Sequence, residues 1–534
     1  MAAVGMTATR AYDVIVIGAG ITGLYTLHRL RERGLEVRVL DEAPGVGGTW
    51  YWNKYPGCRF DSESPTYSYS FSRELLQEWD WKDHYSAQPD TERYLNFVAD
   101  KFELRRDIQL STRVVRAAYD ADNDEWTVTT RQGEQLRARF VITAVGILSA
   151  HYVPQFEGLA SFQGRWCHPA RWPAEGLDLA DKRVGVVGTG STGVQIIAAI
   201  AKDVKHLTVF QRTANYCLPL RNTPIDSEAM REIKARYPEI FRICLETPHG
   251  FIHQADPRSA MDVPPEERLA LYERLWAKSG FAKFMSNFRD VVVPGPANED
   301  YAEFVRRKIR ERVKDPLIAE KLVPKDHQFG SKRVPCETGY YEVFNQDNVT
   351  LVDVRAAPIR RISRGGIETA DAEYPLDVII FATGYDAVTG ALDQIDIRGE
   401  GGLTLKEKFR QGPRTFLGMQ SVGFPNLFTV NAAGARNHVR VMEPLVDWIV
   451  DCIGFMVARG FKRIEPTRQA EDAWTAHVVE AGAHLLRAQG NSWYVGANIP
   501  GKPRFLLTTP DPAPVGRAQR AEIAANGYRG FAIR

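Results

Sequence analysis

Two glycine-rich turns, 170 residues apart, are the features of this chain whose spacing most directly suggests chemistry. The first contains Gly18, Gly20 and Gly23 after the apolar run 14–17, and the second contains Gly188, Thr189, Gly190, Ser191, Thr192 and Gly193 after the apolar run 184–187. In such a turn the first glycine permits a tight bend, the second lets backbone approach a pyrophosphate, and the third lets helix and strand pack closely. One turn is weak evidence. A strand, a glycine turn and a helical pattern occurring together twice predict two dinucleotide-binding units.

The residues that end the next strand of each unit predict different dinucleotides. Asp41, followed by Glu42, lies 23 positions after Gly18, whereas Gln211, followed by Arg212, lies 23 positions after Gly188. A carboxylate accepts hydrogen bonds from a ribose diol, and a guanidinium binds a 2′-phosphate through parallel hydrogen bonds. We therefore expect FAD at the first turn and NADPH at the second. Without the matching spacing from the two glycine turns, Arg212 would be interpreted as a solvated surface arginine.

Two further strands indicate how the units are arranged along the chain. The runs 140–146 and 378–384 are apolar and end in small residues, the second in Ala382, Thr383 and Gly384. Each is expected to close a nucleotide domain where the chain crosses over. The predicted fold is α/β, with two nested Rossmann-like dinucleotide-binding domains. The first part of the FAD domain is predicted at 1–150, the NADPH domain at 151–386 with a helical insertion at about 223–323, and the second part of the FAD domain, with the substrate-facing loops, at 387–534.

The composition excludes several classes of protein. The 534 residues carry 68 basic and 66 acidic side chains, so no broad field attracts nucleic acid or an anionic membrane. The six cysteines include no Cys-x-x-Cys pair, which disfavours a thioredoxin-reductase type of flavoprotein, and a reduced, cytoplasmic setting is expected. No signal peptide is expected before the first strand. The apolar stretch 445–456 carries a polar stripe and is predicted to be an amphipathic core helix that does not span a membrane.

The segment just before the second unit resembles a known family. Its fixed positions are Phe162, Gly164, His168, Trp172 and Pro173. They resemble the fingerprint of the Baeyer-Villiger monooxygenases, whereas related flavin monooxygenases that oxidise amines or sulfides usually carry another aromatic ending. From residue type alone, His168 is more often a structural histidine than a base. The resemblance agrees, because it implies a segment that links the two nucleotide domains.

The resemblance covers nearly the whole chain and implies roles for further residues. It implies a catalytic arginine at Arg333, an aspartate beside the flavin at Asp61, an NADPH contact at Lys332 and a nicotinamide contact at Trp493. Asp61 and Arg333 are also expected to contact the cofactors, and the other expected contacts are Thr49, Trp50, Tyr67, Gln195 and Thr213.

The implied reaction uses both cofactors and no metal. NADPH supplies hydride to FAD, O2 then gives a C4a-peroxyflavin, and this attacks a ketone to form an ester or a lactone. An arginine suits such a site because it stays charged at every working pH and stabilises a developing oxyanion. Cyclic ketones are the expected substrates, and the protein is expected to be a monomer or a weak homo-oligomer.

Two segments depart from the family pattern. Arg436, His438 and Arg440 add charges to a loop that lines the substrate pocket in relatives; we expect solvated loop residues, with an anion-binding role as the alternative. The prolines of 505–514 are expected to prevent a regular strand or helix. Two other functions stay open: an N- or S-oxygenating flavin monooxygenase, and a flavin- and NADPH-binding protein with little turnover.

Overall fold

The computed structural model describes residues 10–430 and 436–534. The strands are β1 (Ala11–Ile17), β2 (Val37–Leu40), β3 (Ile108–Gln109), β4 (Val114–Asp120), β5 (Glu125–Thr130), β6 (Gln135–Thr143), β7 (Arg165–Cys167), β8 (Arg183–Val187), β9 (His206–Gln211), β10 (Leu218–Pro219), β11 (Cys336–Glu337), β12 (Val349–Asp353), β13 (Ile359–Ile362), β14 (Gly366–Thr369), β15 (Glu373–Pro375), β16 (Val378–Phe381), β17 (Asp396–Arg398), β18 (Leu427–Thr429), β19 (Ile464–Pro466) and β20 (Phe531–Ile533).

The α-helices are α1 (Ile21–Glu32), α2 (Thr49–Trp52), α3 (Ser64–Tyr67), α4 (Arg73–Glu78), α5 (Gln88–Lys101), α6 (Ser191–Ile200), α7 (Ser227–Glu246), α8 (Pro265–Trp276), α9 (Ala282–Met285), α10 (Pro296–Arg312), α11 (Pro316–Leu322), α12 (Tyr340–Val343), α13 (Leu405–Lys408), α14 (His438–Ala458), α15 (Arg468–Ala483), α16 (Leu486–Gln489) and α17 (Ala513–Ala525).

The first large sheet is built from both ends of the chain. Its order is β17-β4-β5-β6-β1-β2-β3, with β18 also paired to β6. The strands β1, β2 and β6 are parallel, and their apolar runs are buried because helices or other strands cover both faces. The late strands β17 and β18 return to this sheet after the second sheet has been completed.

The second large sheet is entirely parallel, with the order β12-β9-β8-β16-β7. Its edge strand β7 comes from the segment that holds the family fingerprint. All four residues of β16 are buried, as the apolar pattern of 378–381 predicts. The helices α7 to α11 lie in sequence between β10 and β11, within the stretch predicted to be a helical insertion. Both sheets carry a helix directly after the glycine turn, α1 in the first and α6 in the second.

The polar stripe of 445–456 faces another helix. The stretch lies within α14, and Asp447 accepts hydrogen bonds from Tyr25 at 2.7 Å and from Arg29 at 2.8 Å. One helical turn further along α14, Asp451 pairs with Arg33, the residue that follows α1. The four-residue spacing of Asp447 and Asp451 therefore matches the four-residue spacing of Arg29 and Arg33. No helix in the described part of the chain is long and apolar enough to cross a membrane.

Two sequence expectations about local structure need correction. His438 and Arg440 lie in the first turn of α14, so the expected loop ends at Asn437, which caps the helix; residues 431–435 of that loop lie outside the described residues. The proline-rich segment lacks regular structure only up to Pro512, because α17 begins at Ala513. Pro514 is tolerated there since the first turn of a helix needs no N–H bond from it.

Candidate active site

The first glycine turn has no room for side chains. Gly18 adopts φ +111°, and a Cβ atom on it would lie 2.5 Å from the carbonyl oxygen of Ala144. A Cβ atom on Gly23 would overlap the carbonyl oxygen of Gly18. The backbone of β1, the turn and the end of β6 are therefore in direct contact, as a nucleotide-binding turn requires.

A cavity of about 300 Å³ opens at this turn, and we call it the flavin cavity. The predicted contacts on its wall are Gly18, Gly20, Asp41, Glu42, Thr49, Trp50 and Tyr67. Asp41 accepts hydrogen bonds from the backbone N–H groups of Ala19 at 2.5 Å and Ala43 at 2.7 Å. Burial raises the pKa of Asp41, although these two bonds oppose the shift. The cavity and its acceptors fit an adenosine dinucleotide.

Glu42 has partners that the sequence did not reveal. It pairs with Arg113 and, at 2.6 Å, with Arg171, and both arginines also line the flavin cavity. The guanidinium of Arg171 also lies over the ring of Trp52, 4.1 Å from its centroid. Arg171 belongs to the fingerprint segment, so this ion pair connects that segment to the wall of the flavin cavity.

The second glycine turn repeats the geometry of the first. Gly188 has φ +107°, and its Cβ atom would lie 2.5 Å from the carbonyl oxygen of Ala382, at the end of β16. A Cβ atom on Gly193 would overlap the carbonyl oxygen of Gly188, whereas one on Gly190 would have no neighbour within 4 Å. Gly190 therefore faces open space, where a pyrophosphate could approach. The Thr189 hydroxyl donates to the carbonyl of Thr213 at 2.9 Å and fixes the next strand end beside the turn.

Three cations meet beside this turn, namely Arg212, Lys332 and Arg355, and we call them the Arg212 cluster. Burial lowers the pKa of Lys332, Asp326 opposes the shift, and the charges of Arg355 and Arg212 add to it. Arg355 donates to the hydroxyl of Thr213 at 3.1 Å and pairs with Asp326 at 2.5 Å. Arg212 is exposed, and the structure records no carboxylate partner for it within 10–430 and 436–534. Such a cluster fits the 2′-phosphate of NADPH.

Arg355 was missed by the sequence interpretation. It follows β12, which lies beside β9 with Asp353 opposite Gln211. Because neighbouring parallel strands end at the same edge of a sheet, the residues after them meet. A basic residue after the next strand of the sheet is therefore the signal that could have identified it.

Gln195, a predicted cofactor contact, lies where the two nucleotide units touch. Its side-chain oxygen accepts from Tyr55 at 2.9 Å, and its amide donates to the carbonyl of Arg59 at 2.9 Å. A Cβ atom on Gly57 would lie 2.7 Å from the carbonyl oxygen of Gln195. The flavin-side segment 55–59 thus packs directly on α6, and the amide of Gln195 is engaged there.

Arg333 and Asp61 form a hydrogen-bonded ion pair although they lie 272 positions apart in the chain. Nη2 of Arg333 donates to Oδ1 of Asp61 at 2.6 Å, and the backbone N–H of Cys336 donates to Oδ2 at 3.2 Å. The Arg333 guanidinium also lies 4.9 Å from the centroid of the Phe281 ring. The side chains are 31% and 15% exposed, so the arginine retains an open face.

Electrostatics keep Arg333 charged. Burial lowers the pKa of Arg333, but the charge of Asp61, together with smaller contributions from Tyr494 and Cys336, raises it above the ordinary value. The arrangement is a fixed cation that is oriented by a carboxylate and reaches an open space. Such a group can stabilise negative charge that develops on an oxygen atom.

The fingerprint histidine is a neutral structural group. Nδ1 of His168 accepts from the backbone N–H of Ala170 at 3.1 Å, so Nε2 carries the proton that is shared with the carbonyl of Gly384 at 3.0 Å. Burial, with a smaller effect of His151, lowers the pKa of His168 to about 3. Gly384 precedes Tyr385, whose hydroxyl donates to Asn53 at 2.7 Å. His168 therefore links the end of β16 to the fingerprint segment, and Tyr385, the residue after Gly384, contacts the flavin-side residue Asn53.

The other fingerprint positions pack tightly around this link. Trp172 is buried, and a Cβ atom on Gly164 would lie 2.5 Å from the ring of Phe162. Thr383 donates from its hydroxyl to the carbonyl of Tyr152 at 2.5 Å. These contacts hold the fingerprint segment in place beside the end of β16, where the chain crosses between the two nucleotide domains.

Comparisons with known proteins agree with this geometry. Residues 11–224 match the model of the flavin-binding monooxygenase-like family. The chain is 44% identical over 540 residues to 2-oxo-Delta(3)-4,5,5-trimethylcyclopentenylacetyl-CoA monooxygenase of Pseudomonas putida, with 98% of each chain covered. It is 45% identical over 501 residues to a Baeyer-Villiger monooxygenase of Pseudooceanicola batsensis, with 93% of this chain and 91% of the relative covered. It belongs to the Baeyer-Villiger monooxygenases.

Membership of the Baeyer-Villiger monooxygenases also settles the enzyme class and the cofactors. A crystal structure of OTEMO in complex with FAD and NADP superposes with a TM-score of 0.95 at 44% identity and covers 98% of this chain and 100% of that one. The protein is a flavoprotein monooxygenase that uses FAD and NADPH. The chain is also similar to a relative named for a different chemistry, phenazine N-monooxygenase PhzNO1 of Lysobacter antibioticus, to which it is 42% identical over 527 residues, with 98% of this chain and 97% of that protein covered.

Trp493 lies close to the flavin cavity of this monooxygenase. It packs against the small apolar cluster of Ala387, Val388 and Leu507, together with Ile147 and Leu148, which line the flavin cavity. Its ring is 4.2 Å from that of Tyr494. Nearby, the side-chain amide of Asn498 donates to the carbonyl of Tyr385 at 2.8 Å. The segment with Trp493 is thus tied to the crossover that His168 holds.

The expectation of solvated residues at 436–440 is wrong for Arg440 and His438. Arg440 is 5% exposed and pairs with Glu443 at 3.0 Å. His438 lies against the flavin cavity, where its Nε2 is 3.0 Å from the Thr22 hydroxyl, and burial lowers its pKa to about 4. Glu443 lies in the same helix as Arg440, whereas the contact between His438 and Thr22 forms because α14 packs on α1. Arg436 has no carboxylate partner among the described residues, and its guanidinium donates to the backbone carbonyls of Thr509 and Asp511.

Proposed function

We propose that the protein inserts one oxygen atom of O2 beside the carbonyl of a ketone, giving an ester or a lactone, and that its substrates are cyclic ketones. The Asp61–Arg333 ion pair carries this proposal. Asp61 follows the segment that lines the flavin cavity, and Arg333 follows Lys332 of the Arg212 cluster. The name of the Pseudomonas putida relative, a monooxygenase of an oxo-cyclopentenyl compound, supports a cyclic substrate.

The residues of the chain would act as follows. Bound FAD supplies oxygen activation and bound NADPH supplies hydride. Arg333 stabilises the negative charge that develops on the ketone oxygen, because a guanidinium beside the Asp61 carboxylate keeps its proton. Asp61 orients that guanidinium through Oδ1 and is itself held by the Cys336 N–H through Oδ2.

The cofactor-binding groups divide between the two nucleotides. We propose that Asp41 binds the FAD ribose and that Arg212, Lys332 and Arg355 bind the 2′-phosphate of NADPH. His168 would position the crossover without transferring a proton, since it stays neutral at working pH. Trp493 would contact the nicotinamide side from its place beside Ile147 and Leu148.

The domain limits, the cellular location and the assembly are part of the same proposal. We place the FAD domain at 1–150 and 387–534 and the NADPH domain at 151–386, in the cytoplasm, as a monomer or weak homo-oligomer. All six cysteines are free and buried, which supports a reducing compartment. Light scattering after size-exclusion chromatography measures the assembly; a stable oligomer at low concentration would contradict it.

N-oxygenation is the second candidate, because the phenazine N-monooxygenase is similar over almost the whole chain. A panel of cyclic ketones, open-chain ketones, aromatic amines and sulfides, assayed with NADPH and O2, separates the two functions. We expect lactones or esters that incorporate labelled O2. Only N-oxides or sulfoxides across the panel, or NADPH consumption that yields only hydrogen peroxide, would overturn the proposal.

The Arg333→Ala variant tests the site itself. We expect ester and lactone formation to be lost, because the fixed cation is gone, while NADPH still reduces the flavin. Anaerobic reduction is followed by the loss of flavin absorbance, and products are measured under air. Loss of flavin reduction as well would place Arg333 in the hydride step instead.

A further inference from the structure

Two arginines, Arg436 and Arg487, meet at the C-terminal segment that precedes α17, and together with the nearby Arg520 of α17 we call them the Arg436 cluster. Nη2 of Arg436 donates to the carbonyls of Thr509, at 3.3 Å, and of Asp511. Nη2 of Arg487 donates to the same Thr509 carbonyl at 3.0 Å, and its Nε donates to the Thr508 hydroxyl at 3.1 Å. Two guanidinium groups therefore share one carbonyl oxygen, and the charge of Arg520 acts on Arg436.

The cluster has an excess of positive charge. None of its three arginines forms a salt bridge within residues 10–430 and 436–534, and the one carboxylate acting on Arg436 is Asp511. Asp511 is already engaged, because both of its oxygens lie 2.9 Å from Nε2 of His477. Burial, and then the charge of Arg487, lowers the pKa of Arg436 to about 10.

Two other largely buried arginines of the same protein have carboxylate partners. Arg312 pairs with Glu337 at 2.8 Å and with Glu342 at 2.6 Å. Arg463 pairs with Glu400 at 2.7 Å, as well as with Glu465. A partly buried charge without such a partner is costly, and an anion bound at the cluster would offset that cost.

The cluster lies close to the Asp61–Arg333 pair. The backbone N–H of Leu507, which precedes Thr508, donates to the carbonyl of Tyr494 at 2.8 Å. A Cβ atom on Gly490, three residues after Arg487, would lie 2.6 Å from the carbonyl oxygen of Ser331, two residues before Arg333. The segment that carries Arg487 therefore packs directly on the segment that carries Arg333, and a substrate held at Arg333 is close to the cluster.

His249 adds a polar group that has no partner. Its Nδ1 atom is buried without a hydrogen bond among the described residues, and its backbone carbonyl accepts from the N–H of Asn437 at 2.9 Å. Burial, and then the charges of Arg436 and Arg487, lowers the pKa of His249 to about 4. The ring is therefore neutral and able to donate one hydrogen bond to an anion.

We propose that Arg436, Arg487 and His249 bind an anionic group, a carboxylate or a phosphate, on the ketone that this enzyme oxidises. The proposal rests on the proposed ketone oxygenation and narrows its substrate class to ketones that carry a negative charge away from the carbonyl. Arginine suits this role because its planar fork binds either group through two parallel hydrogen bonds.

A matched set of ketones tests the substrate class with the FAD-containing enzyme. The set is a cyclohexanone with a propanoate side chain opposite the carbonyl, its methyl ester, and the analogue that ends in a phosphate monoester. We expect kcat/KM for at least one anionic ketone to exceed that of the methyl ester by roughly 10- to 100-fold, the range of a charged hydrogen bond. The free acid and the phosphate show which anion is preferred. Equal values for all three would overturn the proposal.

Variants of the cluster test whether its arginines cause the preference for anionic ketones. The Arg436→Gln and Arg487→Gln variants are expected to lower the anion-to-ester ratio of kcat/KM by roughly tenfold or more, and Arg436→Lys to keep part of the preference. The control is Arg529→Gln, which removes an exposed arginine that pairs with Glu522 at 2.9 Å. If Arg436 and Arg487 only hold the segment 508–511, both substrates are affected equally and the ratio does not change. That result would refute the proposal.

Binding without turnover separates this inference from the proposed function. Isothermal titration of the propanoate ketone and of its methyl ester into the oxidised FAD-containing enzyme needs neither NADPH nor O2. Tighter binding of the acid, lost in Arg436→Gln, supports the anion site even if no lactone forms. Oxidation of neutral ketones together with equal binding of acid and ester would overturn the anion site and leave the proposed function intact.

Discussion

The carboxylate of Asp61 holds the cation of the proposed active site, and Asp61→Asn removes its charge with little change of shape. The asparagine oxygen can still accept from Arg333, but its amide then faces the backbone N–H of Cys336, which now donates to Oδ2 at 3.2 Å. Two donors would meet, so the side chain cannot keep both contacts. Arg333 would lose the charge that fixes its orientation.

The expected loss of activity in Asp61→Asn depends on how strongly solvent screens the Asp61–Arg333 ion pair. The contact is 2.6 Å long, and the side chains are 31% and 15% exposed, so solvent screens it only in part. A hydrogen bond between charged groups contributes about 1.5–3 kcal/mol, and about 1.4 kcal/mol corresponds to a factor of ten in rate. We expect the rate of lactone formation to fall roughly 10- to 100-fold.

Two measurements on the same variant test this reasoning. Lactone formation is measured under air, and anaerobic flavin reduction by NADPH is measured from the loss of flavin absorbance. Only the first is expected to fall, because Asp61 orients Arg333. The control is Glu368→Gln, which breaks an exposed ion pair with Arg361 in the β13–β14 hairpin and should change neither rate. Lactone formation at the wild-type rate in Asp61→Asn would refute an orienting role for this carboxylate.

Three further predictions concern the cofactors and pH. Arg212→Ala should raise KM for NADPH roughly tenfold or more and leave KM for NADH unchanged, since only NADPH carries the 2′-phosphate; equal effects in steady-state assays with both coenzymes would contradict this. Gly23→Ala should yield protein without bound FAD, because the new Cβ overlaps the Gly18 carbonyl, whereas Gly193→Ala should keep FAD but lose NADPH binding. Flavin absorbance measures the bound FAD, and coenzyme titration measures NADPH binding. FAD retained in Gly23→Ala would contradict the assignment of the first glycine turn to FAD. Since burial lowers the pKa of His168 to about 3, the unfolded chain binds more protons below pH 6.5, and stability should fall as the pH drops from there, by up to about 1.4 kcal/mol per pH unit for this histidine. Urea unfolding of the wild type and His168→Gln at about pH 7.5 and about pH 5 measures this, and an equal loss in both would show that His168 does not contribute.

The sequence predicted the nucleotide units because their requirements are local. Gly18 and Gly188 must adopt positive φ beside a neighbouring strand end, and few sequences other than a strand, a glycine turn and a helix meet that condition. The α/β class, the two cofactors and the family followed from these turns and from the fingerprint that contains His168. The solved relative with FAD and NADP confirms those predictions.

Contacts between distant residues leave no direct sign in the sequence. Arg355 joins Arg212 only because β12 lies beside β9, and Glu42 meets Arg171 only because the fingerprint folds back on the flavin cavity. The family resemblance identified Asp61 and Arg333 individually, and their contact appears only in the structure, since a separation of 272 positions leaves no periodic signal.

The charges at 436–440 show the same limit most clearly. The sequence established that three basic residues depart from the family pattern, but the exposed fraction and partners of a side chain depend on which surfaces pack together. Tertiary packing buried Arg440, placed His438 against the flavin cavity, and left Arg436 beside Arg487 without a carboxylate partner in the described part of the chain. Local sequence therefore determined the class of reaction through its cofactors, whereas only the tertiary structure decided which of these basic side chains is buried and which lacks a carboxylate partner among the residues that the structure describes.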